Sequence, residues 1–121
     1  AAVTAIDSSA PRLDRLAANL SRTGLQATLV RADAARWSPR SPAGAILLDA
    51  PCSATGTFRR HPEVLHRVFR RFIDEAARTQ AGLLSRAAAW LQPGGRIVYS
   101  VCSLEPEEGE QVIDQFLATN A

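Results

Sequence analysis

Apolar and polar positions along this chain alternate in blocks that read strand, helix, strand, helix. Residues 2–7, AVTAID, form a short apolar run that closes on Asp7. Ser8 or Ser9 then stands where a helix cap is expected, Pro11 suits the first turn, and Leu13, Leu16, Ala17 and Leu20 recur at helical spacing up to Gly24. LQATLV, residues 25–30, is a second strand that leads to Asp33. A proline-broken loop over 36–44 precedes AILLDA, residues 45–50, which is so uniformly apolar that it predicts a strand buried on both faces. Residues 63–73 suit a short helix. A longer one is predicted over 74–91, with Ala77, Ala81, Leu84, Ala88 and Leu91 on one face. Pro93-Gly94-Gly95 predicts a turn and RIVYSV, residues 96–101, a fourth strand. Pro106 with Glu107, Glu108 and Glu110 favours a helix start, because acidic side chains offset the positive end of the helix dipole. Val112, Ile113, Phe116 and Leu117 supply that helix's apolar stripe.

Strands alternating with helices predict a parallel sheet covered by helices, an α/β arrangement of Rossmann type. Ligands of such sheets lie beyond the carboxyl ends of the strands. Asp7, Asp33 and Asp49 all stand at or just after strand ends. Asp7 suits hydrogen bonds from ribose hydroxyls, and Asp33 is placed to reach an adenine amino group. A glycine-rich loop before Asp7 is missing, and Pro93-Gly94-Gly95 enters a strand rather than following one. A nucleotide-like cofactor therefore requires its glycine loop upstream of residue 1.

At 121 residues, 46% hydrophobic and 21% charged, the composition is that of a globular domain, and one domain is the expectation for 1–121. Apolar runs fall short of the roughly 20 residues that span a bilayer, so no membrane role is expected. The abrupt, strand-like start and the lack of methionine read as a piece of something longer. All 14 basic residues are arginine, although the net charge is only +2. Arginine favours bidentate phosphate contacts, but a GC-rich genome gives the same composition, so only clustering argues for RNA. The densest cluster is Phe58, Arg59, Arg60 and His61, then His66, Arg67, Phe69, Arg70, Arg71 and Phe72. Basic and aromatic residues together suit an RNA backbone with an unstacked base. A solvated helix face over a core side lined by Phe69 and Phe72 is the plainer reading of 67–72. Two cysteines make no disulfide framework, and neither sits in a zinc spacing, so free thiols in a reducing, cytoplasmic setting are expected.

Cys52 and Cys102 each follow an apolar strand at its carboxyl end, in Pro-Cys-Ser and Val-Cys-Ser. If those strands are neighbours, the thiols face one crevice. A lone free cysteine is commonly a core filler, but small and polar neighbours at a strand exit are poor surroundings for one. Backbone N–H groups at such a turn can lower a thiol pKa. Thiols and an acid beside an adenosine-bearing cofactor suit methylation of cytosine: a thiolate adds to carbon 6, carbon 5 becomes nucleophilic, and an acid at the N3 edge eases the charge. A second group then promotes loss of the carbon 5 proton.

LLDAPCSATG with RRHP, LQPGGRIVYSVCSLEPEE, and the upstream AID and RADA resemble the RNA 5-methylcytosine methyltransferases, most closely their Sun/Fmu branch, over essentially the whole chain. The resemblance implies a class I methyltransferase fold of Rossmann type, S-adenosylmethionine as methyl donor, and a cytosine of small-subunit (16S) ribosomal RNA as target. It implies Cys102 as the nucleophile and Cys52 as the thiol that assists product release, where pattern alone favours Cys52 for attack. It places Asp49 between cofactor and base and Asp7, Asp33 and Pro51 at the cofactor; Arg59, Arg60 and His61, which adjoin the proposed site, are expected at the RNA. Val101 stands where the family usually has threonine. The family's glycine loop, first strand, upstream RNA-binding domain and final strands have no counterpart here, so the expectation is a truncated fold, inactive alone and prone to dimerise or exchange strands at unpaired edges. Rival readings are a non-catalytic RNA-binding module, and a cysteine hydrolase or redox enzyme. The last requires a poised histidine or a CxxC pair.

Overall fold

The computed structural model describes residues 2–120, which divide into one unit ending at Ser38 and another beginning at Pro39. In the first unit, β1 (Thr4–Asp7) runs parallel to β2 (Thr28–Arg31), with α1 (Ala10–Thr23) between them in sequence. Ser9 occupies the cap position of α1 in extended backbone, but its hydroxyl makes no capping bond. The carboxylate of Asp7 does comparable work two residues earlier, accepting the Ser9 N–H at 2.7 Å. Gly24 ends the helix as expected: at φ 69° it takes the left-handed conformation a side chain resists. The next N–H, of Leu25, returns to the Leu20 carbonyl at 3.1 Å. Leu13 is the buried centre of the stripe, whereas Ala17, expected within it, is exposed.

In the second unit, β3 (Ala43–Asp49) pairs in parallel with β4 (Leu91–Ser100), from Ala45 opposite Arg96 to Asp49 opposite Ser100. The turn expected at 93–95 lies inside β4. Ala43 faces Leu91 and Ala45 faces Arg96, so residues 92–95 bulge out against Gly44 alone, with Gly94 at φ 77°. Strands thus pair two by two among the described residues rather than in one four-stranded sheet, and β1 and β3 each have a single partner.

The helix expected over 63–73 breaks. α2 is a single turn (Val64–Arg67), Val68 and Phe69 are extended, and α3 (Arg70–Ala89) begins earlier than its apolar stripe suggested. Arg70 and Arg71 reach Asp74 and Glu75 one turn on, at 3.3 and 2.9 Å, pairs that favour starting the helix there. α3 packs on β3 and β4 and buries Ile73, Gln80, Leu84 and Ala87; α4 (Glu110–Asn120) packs on α3 through the buried Val112. The expectation that AILLDA is buried on both faces is not met. Leu47 is 71% exposed, and so is its ladder neighbour Val98 at 60%. Helix α3 covers the face of Ile46 and Leu48 only, because alternate strand residues point to opposite sides. Among the described residues no helix is long and apolar enough to cross a membrane.

Candidate functional site

Parallel pairing of β3 with β4 brings the two strand exits side by side. The Ala50 N–H donates to the Ser100 carbonyl at 2.9 Å, and the Gly56 N–H to the Cys102 carbonyl at 3.0 Å. Beyond the last ladder pair, Cys52 Sγ and Cys102 Sγ stand 3.3 Å apart, both free thiols in contact. Cys102 is exposed and Cys52 half-buried. Burial pushes the Cys52 thiol up, and its contact with Cys102 adds to this, to about 11; backbone hydrogen bonds at Ala54 and Cys102 oppose the shift without reversing it. The expectation that turn N–H groups make this thiol acidic is therefore corrected for Cys52: desolvation of the thiolate outweighs them. The intervening loop is tightly built. Ala54 takes the left-handed conformation at φ 59°, and a Cβ on Gly56 would lie 2.8 Å from the Cys102 carbonyl oxygen.

A polar cluster underlies the thiols. Glu108 has no solvent exposure. Its carboxylate accepts the Ser53 N–H at 2.8 Å, the Ser53 hydroxyl through a short contact, the Gln80 amide at 2.9 Å and the Ser103 hydroxyl at 2.9 Å. Burial alone would push this carboxyl up, but the bonds from Ser53, Gln80 and Ser103 together hold it below the usual carboxylate range. Thr55 Oγ1 accepts the Leu104 N–H at 3.0 Å, Ser103 Oγ accepts that of Glu105 at 3.0 Å, and the Gln80 amide also donates to the Pro51 carbonyl at 2.8 Å. The Tyr99 hydroxyl donates to the Glu108 carbonyl at 2.7 Å, and burial followed by the Glu108 charge pushes this phenol up to about 12. The sequence marks Glu108 only as a helix-start charge and gives Gln80 no role. The available signal was the serine that follows each cysteine, a matched donor pair needing an acceptor.

Asp49 closes β3, exposed, and its carboxylate has no hydrogen-bond or ionic partner among the described residues. Pro51 lines a cleft of about 260 Å³ with Cys52, Ser53, Phe72 and Thr79. Phe72, which the sequence suggested for the core side of a helix, is 53% exposed and lies in this cleft, its ring centroid 6.2 Å from that of the exposed Phe69. A larger open hollow of about 560 Å³ beside Tyr99, Val101 and Ile113 contains neither thiol. Arg59, Arg60 and His61 are exposed on the turn that follows Gly56. The two guanidinium groups are unpaired among the described residues, while His61 Nδ1 lies 3.3 Å from Glu63. Arg70 and Arg71 are exposed and ion-paired with acids, Arg70 also with Glu107 at 2.6 Å.

In the first unit, Asp7 ends β1 with both carboxylate oxygens on Arg12, each at 2.8 Å, and with the Ser9 N–H besides. The Arg12 bonds, then that from Ser9, hold its carboxyl below the ordinary range. A carboxylate offers about four acceptor sites, so one remains for a ribose hydroxyl. Asp33 is exposed after β2; one oxygen accepts the Ala35 N–H at 2.9 Å and the other lies 3.9 Å from Arg36. Its remaining lone pairs are open to an amino donor. These donor and acceptor sets fit an adenosine-bearing group.

A family model described as 16S rRNA methyltransferase RsmB/F matches residues 1–121. Ribosomal RNA small subunit methyltransferase B of Shewanella oneidensis is 42% identical over 97% of this chain and 28% of its own length. That of Pseudomonas syringae pv. tomato is 47% identical over 96% of this chain and 27% of its own. The crystal structure of NSun6 from Pyrococcus horikoshii with SFG superposes with a TM-score of 0.88 at 33% identity, over 98% of this chain and 30% of that one. The Rossmann-like α/β fold is thus shared with methyltransferases, and the chain spans somewhat over a quarter of the length of these relatives.

Proposed function

Because this chain belongs to the 16S rRNA methyltransferase RsmB/F family, we propose that it carries the two-thiol centre of an S-adenosylmethionine-dependent RNA cytosine-5 methyltransferase of the cytoplasm, with small-subunit ribosomal RNA as substrate. The sulfur–sulfur separation of 3.3 Å at the ends of neighbouring strands carries this reading. Cys102, the more exposed thiol, adds as thiolate to cytosine carbon 6 and forms a carbon–sulfur bond, while Asp49, free of internal partners, holds the N3 and amino edge. When bound, S-adenosylmethionine would supply the electrophilic methyl group for carbon 5, and Asp49 and Pro51 are the residues beside the thiols that would hold it. The carbon 5 proton then passes to a solvent base with the help of Cys52, the freed electron pair forms the carbon 5–carbon 6 double bond, the carbon–sulfur bond breaks, and Cys102 regains its electron pair as thiolate. Burial pushes the Cys52 thiol up, which disfavours its thiolate as the attacking nucleophile. Arg59, Arg60 and His61 meet the RNA backbone, and Phe72 offers a stacking face for an unstacked base.

The test uses the intact protein with S-adenosylmethionine and unmodified 16S ribosomal RNA. Cys102→Ala is expected to abolish methylation, and Cys52→Ala to accumulate a protein–RNA adduct that survives denaturant. Methylation by Cys102→Ala would overturn the assignment of roles. RNA binding without methylation by the unaltered protein would favour a non-catalytic RNA-binding module.

A further inference from the structure

Glu108 is a charge buried where an apolar side chain would cost less. A buried carboxylate is tolerated only when hydrogen bonds replace the water it has lost. Here the replacements come from three places in the chain. Ser53, in the loop leaving β3, gives its N–H and hydroxyl; Ser103, in the loop leaving β4, gives its hydroxyl; Gln80, in the middle of α3, gives its amide. Ser53 and Ser103 are the residues immediately after Cys52 and Cys102. The two hydroxyls also lie 3.2 Å from each other, so one carboxylate gathers both loops at matching positions. The Gln80 amide bonds the Pro51 carbonyl as well, which fixes the residue just before Cys52 to the same cluster.

We propose that Glu108 is a positioning residue for the thiol pair: by drawing Ser53 and Ser103 onto one buried carboxylate, it sets the separation of the two sulfur atoms. Neither loop is held to this geometry by the ladder, whose last pair is Asp49 with Ser100. Beyond it the Gly56 N–H reaches the Cys102 carbonyl at 3.0 Å and the Leu104 N–H reaches Thr55 Oγ1 at 3.0 Å, and Glu108 is the group that binds the residue after each cysteine. The carboxylate is specifically suited to the task, because each of its oxygens accepts from more than one donor and it presents no donor of its own. A glutamine there has one carboxamide oxygen in place of two, so its NH2 group faces either the Ser53 N–H and Gln80 amide, which cannot accept, or the Ser53 and Ser103 hydroxyls, which must then accept instead of donate. The consequence for turnover rests on the two-thiol reading given above; the consequence for spacing does not.

The measurement is cross-linking of the intact protein by dibromobimane, a short reagent that bridges two thiols, with the Cys52–Cys102 linked peptide and the singly alkylated peptides quantified by mass spectrometry. Circular dichroism accompanies each variant. In a folded Glu108→Gln, the ratio of linked to singly alkylated peptide is expected to fall about tenfold, the equivalent of one hydrogen bond to a charged group. In the methylation assay kcat is expected to fall by a similar factor with KM for RNA unchanged. A folded Glu108→Gln with an unaltered ratio would overturn the proposal and reduce Glu108 to a stapling role. If that variant fails to fold, Ser103→Ala removes one donor without stranding a charge; a several-fold fall in the same ratio supports the proposal, and no change overturns it. Failure of the unaltered protein to methylate, with the ratio still dropping in Glu108→Gln, would reject the two-thiol reading while leaving the spacing role intact.

Discussion

Cys52 and Cys102 differ in environment although they touch. The half-buried Cys52 holds its proton up to about 11, and Cys102 faces solvent. Iodoacetamide at pH 8 is therefore expected to modify Cys102 well before Cys52, read by peptide mapping over time; equal rates would contradict the difference in accessibility. The same shift has a thermodynamic side. A thiol raised from 9.0 to about 11 on folding binds its proton more tightly in the native state. It adds stability that is fully present below its unfolded pKa and lost as pH rises through the folded one. Urea midpoints measured from pH 8 to 11 should fall less steeply for Cys52→Ser than for the parent. Glu108 works in the opposite direction. Its folded carboxyl lies below the ordinary range, so its contribution is present above that range and disappears as pH falls through the folded value. The acid limb of the same measurement should flatten in Glu108→Gln, and an unchanged acid limb would mean that another carboxylate governs it.

The loop between β3 and α2 stores strain in order to bring the thiols together. Ala54, a non-glycine residue at φ 59°, costs about 1 kcal/mol relative to glycine, so Ala54→Gly should raise stability by about that amount in denaturant titration. Gly56 is the opposite case. Its Cβ would meet the Cys102 carbonyl oxygen at 2.8 Å, and Gly56→Ala must push the Thr55–Thr57 turn off the β4 exit, lowering both stability and the yield of Cys52–Cys102 cross-link. The four strands were legible in the sequence because apolar runs ending at Asp or Cys carry a local signal, and Gly24 was legible because a left-handed cap requires its lack of side chain. The break at Val68 and Phe69 was not, since neither Pro nor Gly marks it and the ion pairs that start α3 reach forward into the next turn. The thiol pair could be read from two strand exits once the strands were taken as neighbours. Glu108 and Gln80 could not, because beyond the serine after each cysteine nothing local points to them: the bonds that tie Glu108 to Ser53 and Gln80 span 55 and 28 positions, and no local period records such a cluster.

Across the whole chain, charge of one sign matters less than which charges are already spent. The net value of +2 gives little attraction to a polyanion. Arg12 is committed to Asp7, Arg70 to Asp74 and Glu107, and Arg71 to Glu75, whereas Arg59 and Arg60 stand exposed, and unpaired among the described residues, on the turn that leads away from the thiols. An arginine that already neutralises a carboxylate releases little when a phosphate approaches, because its own ion pair must first be broken. A free one displaces a counterion from the RNA for each phosphate it meets. Binding of a single-stranded ribosomal RNA segment, measured as log K against log salt, should therefore lose about 0.7 from the magnitude of its slope for each of Arg59→Ala and Arg60→Ala. Arg71→Ala should leave the slope nearly unchanged. Equal effects from all three would mean that RNA is drawn by the diffuse charge of the helix face, and that the turn beside Cys52 has no special part in placing the base.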